Sequence, residues 1–174
     1  MRKNFNAEDA KVALRFAKVS GFVFMRGVAR TGAGHSTIER ENPQDMSYPA
    51  NYKYTKEHEW ISVDGTKGTI GITDYAQNSL GDIVFVDLPK VGDSIEAGKS
   101  FGSVEAVKAV SDLFAPVSGT VTAVNEELKD APERINSDAN TTWMLKVELS
   151  DPKQVDALLT AAAYEKFTSE ETGH

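Results

Sequence analysis

The sequence has no cysteine, which excludes disulfides, thiolate metal sites and a cysteine nucleophile. Its three histidines, His35, His58 and His174, are scattered and lack the spacing of a metal site. No apolar run approaches the length that spans a bilayer, and no P-loop, dinucleotide-binding or nucleophile-elbow motif occurs. We therefore expect no membrane segment, no metal and no catalytic site of the chain's own. Any thiol chemistry would require a cofactor.

Basic residues are scarce outside the first quarter of the chain. The formal net charge is −7, and residues 1–45 carry eight Lys/Arg against five Asp/Glu. Residues 46–174 therefore hold 11 basic and 21 acidic side chains, a formal charge of −10. Such a field repels nucleic acid and attracts basic patches on other proteins. We expect protein partners and no nucleic-acid binding.

Residues 1–45 are predicted to form an N-terminal extension, disordered or weakly helical, in front of a folded domain at 46–174. Residues 7–25 are basic and partly amphipathic, and the periodicity is lost from Gly27 onward. One interpretation is a presequence, which would place the protein in the mitochondrial matrix, although Glu8 and Asp9 are unusual in one. We favour a dispensable extension, or a true start at Met46, in a bacterial cytoplasmic protein.

The folded part has the pattern of a mostly β domain. Asp64-Gly65 separates two strand-like runs and is a dipeptide typical of hairpin turns. Thr73 is a suitable N-cap for one short helix that Gly81 would end, and residues 82–88 form an apolar run typical of a core strand. Strands and turns recur at short intervals up to Val147, which favours an antiparallel sandwich or barrel over a parallel sheet.

The last segment is predicted to be helical. Asp151 as N-cap and Pro152 at the first helical position should start a helix that runs through Leu159. Residues 160–167 either continue that helix or form a second one. Residues 168–174 are expected to be a frayed tail.

The most informative stretch is residues 102–112, which is predicted to be two short strands joined by a tight turn with Lys108 at its tip. Ala106, Val107, Ala109 and Val110 flank that lysine and are more apolar than an ordinary exposed turn requires. We interpret them as a surface for a partner enzyme. The alternative is a solvated turn lysine without a specific role.

The motif Glu105-Ala106-Val107-Lys108-Ala109 resembles the lipoylation site of the H proteins of the glycine cleavage system. The resemblance extends from about Tyr52 to Phe167. It implies the flattened β-sandwich of lipoyl and biotinyl carriers, a hybrid barrel, with a short internal helix and C-terminal helices. Further matching elements are His58-Glu59-Trp60, 71–77, 80–86, 115–119, Val124-Asn125, Ile135-Asn136 and Trp143-Met144.

The resemblance also implies a function without catalysis. Lys108 would carry lipoic acid as an amide, and the chain would shuttle an aminomethyl group as a lipoyl carrier. Its partners would be a pyridoxal-phosphate-dependent glycine decarboxylase, a tetrahydrofolate-dependent aminomethyltransferase and a flavin-dependent dihydrolipoyl dehydrogenase. A lipoyl or octanoyl transferase or a lipoate ligase would attach the lipoyl group. Glu59 and Asp112 are implied as cleft acids that meet the amine on the lipoyl arm, and His58 and Trp60 as packing residues.

Several alternatives stay open. A lipoyl domain of a 2-oxoacid dehydrogenase complex favours aspartate where Val107 stands, and a biotin carrier favours methionines beside the lysine. A lipoyl-relay protein that donates lipoate to other enzymes, or a β-sandwich without a cofactor, would also fit parts of the pattern. Three departures from the family are Ala106, where serine is common, Ser79, where some members have histidine, and residues 138–142, which differ from the usual glycine-containing turn before the tryptophan.

Overall fold

The computed structural model describes residues 48–172, so the predictions for residues 1–45 lie outside the described residues. Ten strands form two antiparallel sheets. Their bounds are Tyr52–Tyr54 (β1), Glu59–Asp64 (β2), Lys67–Ile72 (β3), Ile83–Asp87 (β4), Ser94–Ile95 (β5), Ser100–Ala106 (β6), Val110–Phe114 (β7), Gly119–Val124 (β8), Leu145–Leu149 (β9) and Leu159–Thr160 (β10).

The larger sheet has the order β10-β1-β2-β3-β9-β8-β5, and the smaller sheet has the order β4-β6-β7. Neither sheet closes on itself, so the expected flattened sandwich is confirmed but is not a closed barrel. The helices are Asp74–Leu80 (α1), Glu127–Asp130 (α2), Arg134–Ser137 (α3) and Ala161–Thr172 (α4), with a 3₁₀ helix at Pro152–Ala157. Among residues 48–172 no helix is long and apolar enough to cross a membrane.

Local sequence signals account for the first half of the fold. Gly65 adopts a φ of 62° in the turn between β2 and β3, where Asp64 pairs with Lys67. The Thr73 hydroxyl accepts a hydrogen bond from the Ala76 backbone N–H and caps α1. The helix ends at Gly81, whose φ is 82°. The hairpin and the short internal helix are therefore confirmed.

The core beneath the smaller sheet explains how that sheet is held. Val104 and Ala106 of β6 point inward, whereas Glu105 between them is exposed. This alternation is the period of two that the sequence predicts. Leu113 of β7 joins the same buried cluster, together with Leu128 of α2 and Ile135 of α3. The two short helices therefore support the underside of the small sheet.

The C-terminal segment corrects one prediction. The predicted start is confirmed, because Asp151 caps a helix that begins at Pro152. Its predicted extent through Leu159 is wrong, because Pro152–Ala157 forms a short 3₁₀ helix and Leu158 is extended, with φ −82° and ψ 158°. Leu159 then pairs with Tyr54 at the open edge of β1. The backbone groups on the open edge of β1 are satisfied by this pairing with β10. They would face solvent if the helix continued through Leu159.

Helix α4 is longer than expected. It continues to Thr172, although the sequence predicts a frayed tail from Thr168. Tyr164 is fully buried and stacks on Tyr54, with 4.7 Å between ring centroids. Thr168, one turn further on, is also buried. Tertiary packing against the aromatic cluster therefore stabilises this helix, whose apolar pattern alone is weak.

Candidate functional site

Lys108 lies at the tip of the hairpin formed by β6 and β7, as the sequence predicts. The strands pair from Ser100 opposite Phe114 to Glu105 opposite Val110. Residues 106–109, here called the lysine turn, close the hairpin through a hydrogen bond of 2.7 Å from the Ala106 N–H to the Ala109 carbonyl. The Lys108 side chain is exposed, and its amine makes no ion pair or hydrogen bond with the described residues. A free, solvated amine is open to acylation.

An apolar surface extends from the lysine turn across the outer face of the small sheet. Val107 and Val110 are 71% and 64% exposed. Phe85, which faces Glu105 in the register, is 46% exposed, and Val84 beside it is 53% exposed. Val107 and Val110 are thus exposed as the predicted partner surface requires. The prediction is wrong for Ala106, which is buried in the core, and Ala109 is partly buried against the same core.

Val84 and Phe85 were missed by the sequence reasoning, which treats residues 82–88 as a core strand. The ladder between β4 and β6 shifts register between Ile83 and Phe85, and this irregularity turns two consecutive side chains outward. A continuous apolar run does not signal a bulge. Only the pairing with β6 reveals which of its residues face solvent.

Glu59 is enclosed in the fold, with a relative exposure of 1%. Its Oε1 accepts a hydrogen bond of 2.9 Å from the backbone N–H of Phe114 in β7, and its Oε2 accepts one from the Thr55 hydroxyl. Thr55 Oγ1 in turn accepts the Glu59 N–H at 3.0 Å. Burial raises the pKa of Glu59 to about 7, against the opposing effect of these hydrogen bonds. The carboxyl group links β2 of the large sheet to β7 of the lysine hairpin.

Asp112 is exposed on β7, four residues beyond Lys108. It pairs with Ser103, which pairs with Asp87 on its other side, so two carboxylates flank a serine across the outer face. Lys108 belongs to the lysine turn, so only the two steps from Val110 to Asp112 are strand, and these correspond to about 7 Å. The structure thus places Asp112 on the open face of the strand that follows the lysine turn, and it does not bring Glu59 onto that face.

His58 and Trp60 are packing residues, as expected. His58 has a φ of 77°, and its Nδ1 shares a hydrogen bond of 2.7 Å with the Tyr164 hydroxyl. Burial lowers its pKa to about 4, so it is neutral near pH 7. The Trp60 indole N–H donates to the Ala139 carbonyl at 3.0 Å. Within the described part of the chain no group of three potential metal ligands is found.

Comparisons with known proteins agree on one family. The model of the glycine cleavage H-protein family matches residues 52–171. The chain is 73% identical over 129 residues to the glycine cleavage system H protein of Acidobacterium capsulatum, covering 74% of this chain and all of that protein. It is 69% identical to that of Koribacter versatilis, with the same coverage. The crystal structure of the H protein from Mycobacterium marinum is 38% identical, with a TM-score of 0.63, over 71% of this chain and 98% of that one.

Proposed function

Because the chain belongs to the glycine cleavage H-protein family, whose function is that of a lipoyl carrier, we propose that Lys108 is its lipoyl attachment residue. The observation that carries this proposal is the isolated amine of Lys108 at the tip of a supported hairpin, with Val107 and Val110 exposed on either side. A modifying enzyme needs an accessible amine on a defined turn. An aliphatic arm would find apolar side chains next to its point of attachment.

Lipoic acid attached to Lys108 would supply the redox-active dithiolane that this cysteine-free chain lacks. The chain itself contributes presentation and charge. The rigid hairpin would hold the attachment point clear of the fold, and the formal charge of −10 on residues 46–174 would favour basic surfaces on its partners. The proposed partners are glycine decarboxylase, aminomethyltransferase, dihydrolipoyl dehydrogenase and the enzyme that attaches the lipoyl group.

Two acids are proposed to stabilise a cationic amine carried on the arm. Asp112 is exposed on the strand that leads away from Lys108, so an amine can reach its carboxylate directly. Glu59 is buried behind Thr55, so an amine would reach it only by displacing the Thr55 hydroxyl. A cation there would favour the ionised carboxylate and lower the pKa of Glu59 from its value of about 7.

The test is reconstitution of glycine-dependent NADH formation from the lipoylated full chain and its three proposed partner enzymes. Lys108→Arg is the matched control, because arginine retains the charge and reach but does not form the lipoyl amide. We expect activity with the natural chain and none with the variant. Activity of Lys108→Arg would contradict the assignment of Lys108. Transfer of the lipoyl group to an apo 2-oxoacid dehydrogenase domain, without glycine-dependent turnover, would favour the relay function instead.

A further inference from the structure

The side chain of Asn136 forms a fork around the peptide groups that flank Asp82. Asn136 Oδ1 accepts a hydrogen bond of 2.9 Å from the Ile83 N–H, and its Nδ2 donates one of 2.8 Å to the Gly81 carbonyl. The side-chain amide thus satisfies one backbone donor and one backbone acceptor, as a neighbouring strand would. Residues 81–83 are thereby fixed to α3.

The fixed segment is the one that contacts the lysine turn. The Asp82 carbonyl, between the two groups held by Asn136, accepts a hydrogen bond of 3.0 Å from the Val107 N–H. Val107 directly precedes Lys108. The chain of contacts therefore runs from Asn136 through residues 81–83 to the backbone next to the lysine. The turn is also closed locally, by the bond between Ala106 and Ala109 and by the pairing of Glu105 with Val110.

Other contacts also restrain this part of the fold: the Gly81 N–H donates to the Gln77 carbonyl at 2.9 Å, and Ile83 is buried in the core and pairs with Ala106. Among the described residues, no other side-chain amide holds residues 81–83. Gly81 has a φ of 82° and no side chain, and the ladder between β4 and β6 is irregular just after Ile83.

Asn136 itself stands on a firm support, because Ile135 beside it is buried in the core under the small sheet. The Thr142 hydroxyl also donates to the Arg134 carbonyl in the same short helix, at 3.3 Å.

We propose that Asn136 is a positioning residue for Lys108: its amide group fixes residues 81–83, and these hold the lysine turn in the geometry that the lipoyl-attaching enzyme recognises. The enzymatic half of this inference rests on Lys108 being the lipoylated residue. The structural half, the effect of Asn136 on the Val107 N–H, does not depend on it.

The test compares Asn136→Ala with Asn140→Ala in the unmodified full chain. Asn140 is a matched control because it also forms a fork, with Oδ1 accepting from the Asp74 N–H at 3.2 Å and Nδ2 donating to Asp74 Oδ2 at 2.6 Å. That fork holds the start of α1 and does not involve residues 81–83 or the lysine turn. The readouts are amide hydrogen exchange at Val107 by NMR, and steady-state lipoylation by a lipoate ligase with ATP and lipoate.

For Asn136→Ala we expect exchange at Val107 to become about 30-fold faster, as the loss of two hydrogen bonds implies. The kcat/KM of lipoylation should fall severalfold, mainly through KM and by no more than the change in exchange, because fewer molecules hold the competent turn before they bind. Asn140→Ala should change both quantities less than twofold. Asn136→Asp retains the acceptor for Ile83 but places a carboxylate oxygen against the Gly81 carbonyl oxygen, so it should speed exchange at Val107 at least as much as alanine does. It replaces the alanine variant if that one does not fold.

Unchanged exchange at Val107 in a folded Asn136 variant would overturn the inference. So would faster exchange with an unchanged lipoylation rate, which would leave Lys108 as the attachment residue but remove the role of Asn136. Equal losses in the Asn136 and Asn140 variants would show a general loss of stability and would also overturn it. If the natural chain is not lipoylated at Lys108, the proposed function fails. The exchange data at Val107 would still test the structural half of the inference, because they do not depend on lipoylation.

Discussion

Replacing Glu59 with glutamine should make the fold more stable than the natural chain above neutral pH. Glu59 is almost completely buried, and burial raises its pKa to about 7 from the ordinary value of 4.5. Between pH 4.5 and 7 the native state therefore holds a proton that the unfolded chain has released. The stability that this carboxyl contributes is fully present below pH 4.5 and is lost as the pH rises through 7. This difference between the native and the ordinary pKa corresponds to about 3 kcal/mol in the free energy of unfolding.

Glutamine copies the protonated carboxyl group. Its amide oxygen can accept the Phe114 N–H and its amide nitrogen can donate to the Thr55 hydroxyl, so the contacts of the buried group are retained. Glutamine does not ionise. The penalty that grows with pH in the natural chain is therefore absent from the variant.

The assay is urea unfolding of the full chain and of Glu59→Gln at several pH values from 4.5 to 8. The free energy of unfolding of the variant minus that of the natural chain should rise by about 3 kcal/mol across this range. Because the pKa of His58 is lowered to about 4, His58 makes the free energy of unfolding rise with pH between about 4 and 6.5. This contribution is the same in both proteins and cancels in the difference between them. A pH-independent difference would refute the reasoning, because it would mean that Glu59 is solvated in the native state.

Three further predictions concern the hairpin and the extension. Lys108→Arg should change the free energy of unfolding by less than about 0.5 kcal/mol, since the side chain is exposed; a large loss in urea unfolding would contradict the exposed tip. Gly102→Ala should cost about 2–3 kcal/mol in the same assay, because an added Cβ would lie 2.2 Å from the Asp87 carbonyl oxygen and force β4 away; an unchanged midpoint would show that β4 yields freely. Deletion of residues 1–45 should leave the circular dichroism spectrum and lipoylation of the remaining chain intact, and loss of the folded domain would show that the extension is required.

The parts of the fold that could be predicted from the sequence depend on short-range signals. The alternation of Val104 and Ala106 with Glu105 predicts β6, and the Thr73 cap predicts α1. Lys108 is found at a hairpin tip because its turn is closed within four residues. Each of these features is decided by neighbours in the chain, so the printed residues suffice.

The features that could not be predicted depend on distant partners. Leu159 is extended because the edge of β1 at Tyr54 is available, and nothing near Leu159 shows this. The resemblance implies Glu59 only as a cleft acid, and its burial becomes evident when Phe114 is known to lie against it. Asn136 belongs to the motif that carries the family resemblance, yet its contact with residues 81–83 appears only when α3 is packed beside the start of β4.

The most direct test of the central claim is the mass of the modification on Lys108. The full chain should be produced with lipoate and biotin both available and with competent ligases, then analysed intact and as peptides. We expect a single lipoyl increment, confined to the peptide that contains Lys108. An unmodified Lys108, a biotinyl increment on it, or a lipoyl increment at another lysine would refute the assignment of Lys108 as the lipoyl attachment residue.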